Sequence, residues 1–193
     1  MTQARIGFAL CGSFCTFERT LRALEQLCAA YDTVQPIMSE AAWQTDTRFG
    51  TAASFRARIE SLCGRKIWHT VAEAEPIGPK KLLDLLVVAP CTGNTLAKLA
   101  AGIADSSVTM AVKAQLRNER PVVLAVSTND GLATAAQNIG VLLSRRQIFF
   151  VPFGQDDPVQ KPRSLVAQME QLPETVAAAL EGRQLQPMLC APQ

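Results

Sequence analysis

Short apolar runs alternate along this chain with longer segments in which apolar residues recur every three or four positions. The runs are typical of strands that are buried on both faces, and the longer spacing is typical of amphipathic helices. The predicted strands are residues 6–10, 33–39, 66–70, 84–89, 121–126 and 147–152. The spacing of Leu21, Leu24 and Leu27 predicts a first helix. The other predicted helices are residues 52–62, 95–102, 108–116, 132–143 and 164–181, and Pro173 is expected to interrupt the last of them.

This regular alternation predicts an α/β fold, a single domain in which a parallel sheet lies between two layers of helices. Right-handed crossovers then give a doubly wound, Rossmann-like or flavodoxin-like sheet. We expect residues 1–183 to form this domain and residues 184–193 to be an irregular C-terminal tail. Ligands of such sheets bind at the carboxyl ends of the strands, which here are the turns at residues 11–14, 39–42, 90–95, 127–131 and 152–157.

Charge and hydropathy argue against two broad classes of protein. The 193 residues carry a formal net charge of +2, and the basic residues are scattered, so the chain lacks the basic face of a nucleic-acid-binding protein. No apolar stretch reaches the ~18 residues of a membrane-spanning helix, and residues 6–10 are not followed by a clear signal-peptide cleavage site. We therefore expect a cytoplasmic protein without nucleic-acid or membrane partners.

The six cysteines and the single histidine, His69, do not form a metal-binding pattern. No two cysteines have the CxxC spacing, and His69 has no cysteine near it in sequence, so we predict no metal site. Free buried thiols are the expectation in a reducing compartment. Cys91 lies in the ligand-facing turn at residues 90–95, which makes it a minor candidate for a nucleophile.

The five turns are poor in large apolar side chains and rich in hydroxyl, amide and glycine groups. Gly12 and Ser13 allow backbone N–H groups to approach an anion, while Thr92, Asn94 and Thr95 offer side-chain donors and acceptors. Helix capping alone explains such residues at any one turn, but their presence at all five favours a ligand. GxGxxG and Walker patterns are absent, so a ligand with one phosphate, such as FMN, is favoured over a dinucleotide.

Two stretches carry a resemblance to a known family. The sequences "GFALCGSFCTF" at residues 7–17 and "APCTGNTLAKLAAGIADSSVTMA" at residues 89–111 are similar to the homo-oligomeric, FMN-containing cysteine decarboxylases of the flavoprotein family. The positions that match that family's second motif are Pro90, Asn94, Thr95, Lys98, Ala100, Gly102 and Asp105. The resemblance implies self-association and an FMN site lined by Gly12, Ser13, Phe14, Ser39, Thr92, Gly93, Asn94 and Ser107.

The same resemblance implies a substrate site after the fourth main strand. The decarboxylases have a P-x-M-N motif there whose asparagine binds a carboxylate, and this chain has Val126-Ser127-Thr128-Asn129. Ser127, Thr128 and Asn129 are therefore the predicted substrate-binding residues. The family's early histidine motif has no match, because His69 lies in "KIWHTVAE", so we do not expect decarboxylation of a cysteine.

A narrower resemblance covers nearly the whole chain and includes "NIGVLLSRRQIFFVPFGQDDP" at residues 138–158. It is to the B subunits of a two-subunit bacterial synthase that makes an aromatic dicarboxylate for spores from a cyclic intermediate of the lysine pathway. This resemblance implies an oxidoreductase subunit that binds a small dicarboxylate. It also implies a dehydrogenase-like A subunit as partner, which would supply NAD(P).

The catalytic group stays open at this point, and so do three functions. Two carboxylates on a substrate need fixed donors, which are amides such as Asn94 and Asn129, hydroxyls such as Ser127 and Thr128, and a basic residue. The candidates for the basic residue are Lys98, Lys161 and Arg163. Asp130 and Asp156 are both candidates for the base, and neither spacing decides between them. The three possible functions are an oxidoreductase subunit that acts with a partner, a flavin-dependent lyase that acts alone, and a non-catalytic assembly subunit that has lost flavin binding.

Overall fold

The computed structural model describes residues 2–191, and the predicted alternation of strands and helices is confirmed. The strands are β1 (Thr2–Leu10), β2 (Tyr31–Met38), β3 (Leu85–Cys91), β4 (Val122–Thr128), β5 (Ile148–Phe150), β6 (Phe153–Gly154) and β7 (Leu165–Ala167). The helices are α1 (Phe17–Ala30), α2 (Glu40–Gln44), α3 (Ala52–Cys63), α4 (Val71–Ala74), α5 (Gly93–Ala101), α6 (Ser107–Arg117), α7 (Thr134–Leu143) and α8 (Leu172–Leu180).

Strands β1 to β5 form a parallel sheet with β1 and β3 near its centre. Neighbouring strands follow the order β2-β1-β3-β4, and β5 pairs with the other side of β4. Every residue of β3 is buried, because both faces of the sheet are covered. Phe8 lies opposite Val87, and Val87 lies opposite Val123, so one apolar row crosses three strands. This strand order is that of the flavodoxin-like sheets, whose ligands bind where the order reverses.

The helices pack against the sheet in two groups. Helix α1 contacts α3 and α8, whereas α5 contacts α6 and α7. The spacing that predicts α1 is also the spacing of its buried face, because Leu21, Leu24 and Leu27 are all fully buried. The three-layer α/β architecture predicted from the sequence is confirmed.

The sheet differs from the prediction beyond the end of β4, where it carries an antiparallel hairpin. Strand β7 pairs antiparallel with β4, with Ser127 opposite Val166, and β6 pairs antiparallel with β7. The prediction of a helix from residue 164 is therefore wrong for its first part, since α8 begins at Leu172. Pro173 stands in the first turn of α8 and does not interrupt it, because the first N–H groups of a helix have no partner there. An apolar run as short as β7 has no periodicity that separates a strand from a helix.

The segment predicted as a strand at residues 66–70 contributes one bridge to the sheet. Trp68 pairs with Ile37 at the outer edge of β2. The N–H of Met38 donates to the Trp68 carbonyl at 2.8 Å, and the N–H of Trp68 donates to the Pro36 carbonyl at 3.0 Å. These two bonds fix the segment against β2 and place His69 beside it.

The C-terminal residues as far as Ala191 pack on the domain without forming a helix or a strand. The Gln184 side chain accepts from the Phe150 N–H at 2.8 Å and donates to the Phe150 carbonyl at 2.7 Å, so it closes the free edge of β5. Leu189 forms a bridge with Phe153. The division between domain and tail at residue 183 stays a prediction. Among the described residues, no helix is long and apolar enough to cross a membrane.

Candidate functional site

Two adjoining clefts lie at the carboxyl ends of the parallel strands, where this fold binds its ligands. They have volumes of about 480 and 450 Å³, which are usual for ligand pockets, and Gly12 and Thr92 line both of them. Of the predicted residues, the first cleft brings together Gly12, Ser13, Thr92, Gly93, Ser127, Thr128 and Asn129. The second cleft brings together Gly12, Ser39, Thr92 and Asn94.

The first cleft joins the turn after β1 to the turn after β4 through hydroxyl groups. The Ser13 and Ser127 hydroxyl oxygens are 2.7 Å apart, and that of Thr16 lies 3.5 Å from the Ser127 oxygen. Pairing with β7 holds Ser127 and Thr128 in extended backbone at the end of β4, and both residues line the cleft. The Asn129 amide is exposed at the next position, and it has no hydrogen-bond partner among the described residues.

Gly93 lets the start of α5 approach the turn after β4 closely. A Cβ atom at this position would lie 2.7 Å from the Thr128 hydroxyl oxygen and 2.9 Å from an Asp130 carboxylate oxygen. The Thr128 hydroxyl donates to that carboxylate. The glycine is therefore required by the packing of two turns of the chain.

The start of α5 presents unpaired donors between the two clefts. The Thr92 hydroxyl accepts from the Thr95 N–H at 3.2 Å and caps the helix. The N–H groups of Gly93 and Asn94 have no carbonyl partner within the helix, and the positive end of the helix dipole lies here. The Asn94 side chain is exposed and has no hydrogen-bond partner in the part of the chain that the structure describes.

The second cleft contains charges of both signs. Ser39 caps α2 by accepting from the Ala42 N–H at 3.3 Å, and the neighbouring Glu40 also lines the cleft. Lys98 lines it too, with its ammonium group 2.9 Å from the Asp105 carboxylate. Because Lys98 is already paired, it contributes little net positive charge to a ligand there.

Phe14 and Ser107 line neither cleft. The Phe14 ring packs on that of Phe17 with 5.0 Å between the ring centroids. The Ser107 hydroxyl donates to the Met38 carbonyl at 2.6 Å, and its N–H donates to the Glu40 carboxylate at 3.3 Å. Both residues therefore support the turns that form the clefts from behind.

The segment between β6 and β7 brings charged groups to the first cleft. The Lys161 ammonium lies 2.9 Å from the Asp156 carboxylate, and the buried Ser164 hydroxyl donates to the same carboxylate. Burial raises the pKa of Asp156, but the hydrogen bonds from Ser164 and Lys161 outweigh it, so the net pKa lies below the usual value. Asp156 is thus a weak proton acceptor at neutral pH. Arg163 does not line this cleft.

Four residues that the sequence analysis did not single out also line the first cleft: Cys15, Thr16, Arg19 and Val166. Arg19 pairs with Glu170 at 2.9 Å, and this contact joins α1 to the segment before α8. A cation in the first turn of a helix opposes the helix dipole, but the sequence analysis gave this helix no first residue, so that signal for Arg19 could not be used. Cys15 is exposed in the turn after β1, with no such signal.

The remaining candidates for reactive side chains, Cys91 and His69, lie outside both clefts. Cys91 is fully buried at the end of β3, and burial raises the pKa of its thiol, which argues against a nucleophile. His69 stacks on the Trp43 ring with centroids 3.8 Å apart and lines neither cleft. Within residues 2–191, no group of three or more His, Cys, Asp or Glu side chains could hold a metal ion.

Comparison with known proteins identifies the family. The Flavoprotein family model matches residues 1–181. The chain belongs to the flavoprotein family. This flavoprotein is 48% identical over 185 residues, which are 96% of the chain and 92% of the relative, to the B subunit of dipicolinate synthase from Bacillus subtilis (strain 168).

Solved structures agree with this assignment. The flavoprotein matches the B subunit of dipicolinate synthase from Bacillus halodurans with a TM-score of 0.90 and 43% identity, over 98% of this chain and 97% of the other. It also matches Burkholderia xenovorans DmrB, described as a cubic cage in complex with FMN. That match has a TM-score of 0.70 at 18% identity and covers 93% of this chain and 96% of the other, so it shows the shared fold.

Proposed function

We propose that this flavoprotein acts as the B subunit of a dipicolinate synthase. It would take part, with a dehydrogenase-like A subunit, in the oxidation of a cyclic lysine-pathway intermediate (dihydrodipicolinate or its hydrated precursor) to dipicolinate during sporulation. The likeness to two B subunits of dipicolinate synthases supports the proposal. The observation that carries it is the first cleft, where hydroxyl, amide and cationic donors converge on a space suited to a small dicarboxylate. A substrate from the lysine pathway also implies a cytoplasmic reaction.

The substrate carboxylates would be bound by the turn after β4 and by Lys161. Ser127, Thr128 and Asn129 present two hydroxyls and one unpaired amide to the first cleft. Lys161 faces the same cleft from the β6–β7 segment, and its side chain is 51% exposed, so it can turn from Asp156 to a carboxylate. Charge-assisted hydrogen bonds of this kind are the strong ones in carboxylate recognition.

The residues at the two clefts also fit FMN. The unpaired N–H groups at the start of α5 and the Asn94 amide suit the polar atoms of a flavin phosphate or ring edge. Gly12, Ser13, Ser39, Thr92, Gly93 and Asn94 would hold the group, and Phe14 and Ser107 would support it from behind. When bound, FMN would supply an acceptor for two electrons from the substrate ring. NAD(P) on the A subunit is the second proposed acceptor.

Aromatisation of the ring also releases a proton, and we propose that Asp130 accepts this proton. This carboxylate lines the first cleft and accepts the Thr128 hydrogen bond, so Thr128 orients it toward the space between the turns. Asp156 is less suited, because two donors already hold it in the ionised form. The lyase alternative has no histidine to support it, since His69 lies outside both clefts.

Titration of the purified chain with FMN tests the cofactor assignment. We expect quenching of flavin fluorescence on binding, and at least a tenfold weaker affinity in Asn94→Ala, because the amide loses its ligand contacts (about 1.4 kcal/mol for a factor of ten). Asn138→Ala, a matched change in α7, is the control and should bind like the unchanged chain. Failure of the unchanged chain to bind FMN would favour the non-catalytic assembly subunit.

A further inference from the structure

Two cysteines from different helices meet on the side of the domain that carries α1 and α3. The Sγ atoms of Cys28 and Cys63 are 3.9 Å apart, although 35 positions separate them in sequence. Cys28 lies in the last turn of α1, and Cys63 is the last residue of α3. Both thiols are free and half-buried, so a small oxidant can reach them.

The surroundings divide the two thiols into a reactive one and a protected one. The hydrogen bond with Cys63 lowers the pKa of Cys28, and this effect is larger than the rise in that pKa caused by the burial of Cys28. The hydrogen bond with Cys28 and burial both raise the pKa of Cys63. Because thiolates are the attacking species in thiol–disulfide exchange, Cys28 is the thiol that should react first.

We infer that Cys28 and Cys63 form an oxidation site, at which a small-molecule disulfide converts the two thiols into an intramolecular disulfide bond. The two sulfur atoms must approach by about 2 Å to reach the bonding distance of ~2.05 Å. Both residues lie at helix ends, where side-chain and backbone adjustment is easier than within a helix. The inference is independent of the proposed catalytic function.

The reaction is a pair of exchanges that balance in atoms and electrons. The Cys28 thiolate attacks the disulfide of oxidised glutathione, which forms a mixed disulfide and releases one glutathione thiolate. The glutathione thiolate released in the first step takes the proton of the Cys63 thiol, and the Cys63 sulfur attacks the Cys28 sulfur and releases the second glutathione. The two protein thiols are oxidised, and one glutathione disulfide is reduced to two thiols.

The bond would close a loop that includes part of the ligand site. The segment between Cys28 and Cys63 contains β2, α2 and the Ser39 turn that lines the second cleft. A crosslink over a loop of this length restricts the unfolded chain, and for a domain of this size that corresponds to a rise in melting temperature of about 8–15 °C. Oxidation would therefore stabilise the folded domain as a whole, including the segment that carries Ser39.

The test is incubation of the purified full chain with oxidised glutathione, followed by alkylation of the remaining thiols and peptide mapping by mass spectrometry. We expect a crosslinked Cys28–Cys63 peptide pair, a chain lighter by two hydrogens and the rise in melting temperature, all reversed by a reductant. Cys190→Ser is the matched control, because this half-exposed cysteine lies in the C-terminal segment, and it should still form the bond.

Single variants separate the proposed order of attack from unspecific oxidation. In Cys63→Ser, Cys28 should retain one glutathione as a stable mixed disulfide, because no second thiol is present to release it. In Cys28→Ser, Cys63 should take up less glutathione than Cys28 does in Cys63→Ser, because burial still raises the pKa of the Cys63 thiol. The inference is overturned if Cys28 and Cys63 both remain open to alkylation while the exposed Cys15 takes up glutathione.

Discussion

At the residue scale, short-range packing decides which polar groups are free for a ligand. Thr92 and Ser39 are both used as helix caps, so their hydroxyls satisfy backbone N–H groups of their own helices. Asn94 and Asn129 keep their amides unpaired among the described residues. Capping and ligand binding are thus divided between neighbouring residues of the same turns, and the two amides carry the larger share of the expected recognition.

Gly93→Ala tests the close approach of α5 to the turn after β4. The added Cβ would lie 2.7 Å from the Thr128 oxygen, so the turn must shift and break the Thr128–Asp130 contact. We expect a loss of about 1–3 kcal/mol of stability and a clear loss of FMN and substrate binding, measured by thermal melts and titration. The control is Gly140→Ala in α7, where nothing lies within 4 Å of the new Cβ, and which should stabilise the chain slightly.

Lys161→Met tests the role of the β6–β7 segment in substrate binding. The substitution keeps the length of the side chain and removes its charge, so we expect a rise in KM of about tenfold, with FMN affinity unchanged. Arg163→Met is the matched control, because Arg163 is exposed and lines neither cleft. Equal effects of both variants would point to a general charge effect and against a carboxylate contact of Lys161.

At the scale of secondary-structure elements, one carboxylate connects the beginnings of three strands. Asp84 precedes β3, accepts from the Arg5 backbone and guanidinium at 2.8 Å, and accepts from Arg120, which lies before β4, at 3.0 Å. Hydrogen bonding from Arg5 is the main reason why the pKa of Asp84 lies below its usual value. The amino ends of β1, β3 and β4 are thereby fixed, opposite to the edge that carries the clefts.

Asp84→Asn is expected to lower stability by about 1–2 kcal/mol at pH 7, since Arg5 and Asp84 are 41% and 31% exposed and solvent screens the pair. A carboxyl whose folded pKa is depressed contributes stability that is fully present above its unfolded pKa of about 3.9 and is lost as pH falls toward the folded pKa. Urea unfolding should therefore show a difference between the two proteins that shrinks below about pH 4. Asp32→Asn, at an exposed position, serves as the control.

At the scale of the whole molecule, the clefts are open toward one edge of the sheet and contain both acidic and basic groups. The proposed oxidation of a cyclic dicarboxylate in the first cleft also needs an acceptor for the electrons. In the proposal, FMN on this chain and NAD(P) on the A subunit supply it. The two subunits should therefore depend on each other for turnover.

Mixing the purified chain with the A subunit of a dipicolinate synthase tests this dependence. We expect formation of dipicolinate, followed by its ultraviolet absorbance, only when both subunits, FMN and NAD(P) are present, and a strong loss of rate with Asp130→Asn. Asp157→Asn, which lies outside the first cleft, is the control. Formation of dipicolinate by the isolated chain with FMN alone would contradict the dependence on the A subunit.

The sequence by itself determined the fold class, the places of the main strands and helices, and the edge of the sheet that carries the two clefts. Apolar runs that are buried on both faces leave few alternatives to a parallel α/β sheet, and the carboxyl ends of its strands follow from topology. The predicted residues Ser13, Asn94 and Ser127 could be assigned to the site in this way, because each lies at or just beyond a strand end.

Only the tertiary structure decided which of the predicted residues line the clefts and which lie behind them. It showed the antiparallel β7 against β4, the burial of Cys91, the placement of Ser107 behind the clefts and the contact between Cys28 and Cys63. Each depends on contacts between positions far apart in sequence. Hydrophobic periodicity reports whether a position faces a core, but it does not report which distant residue it meets there.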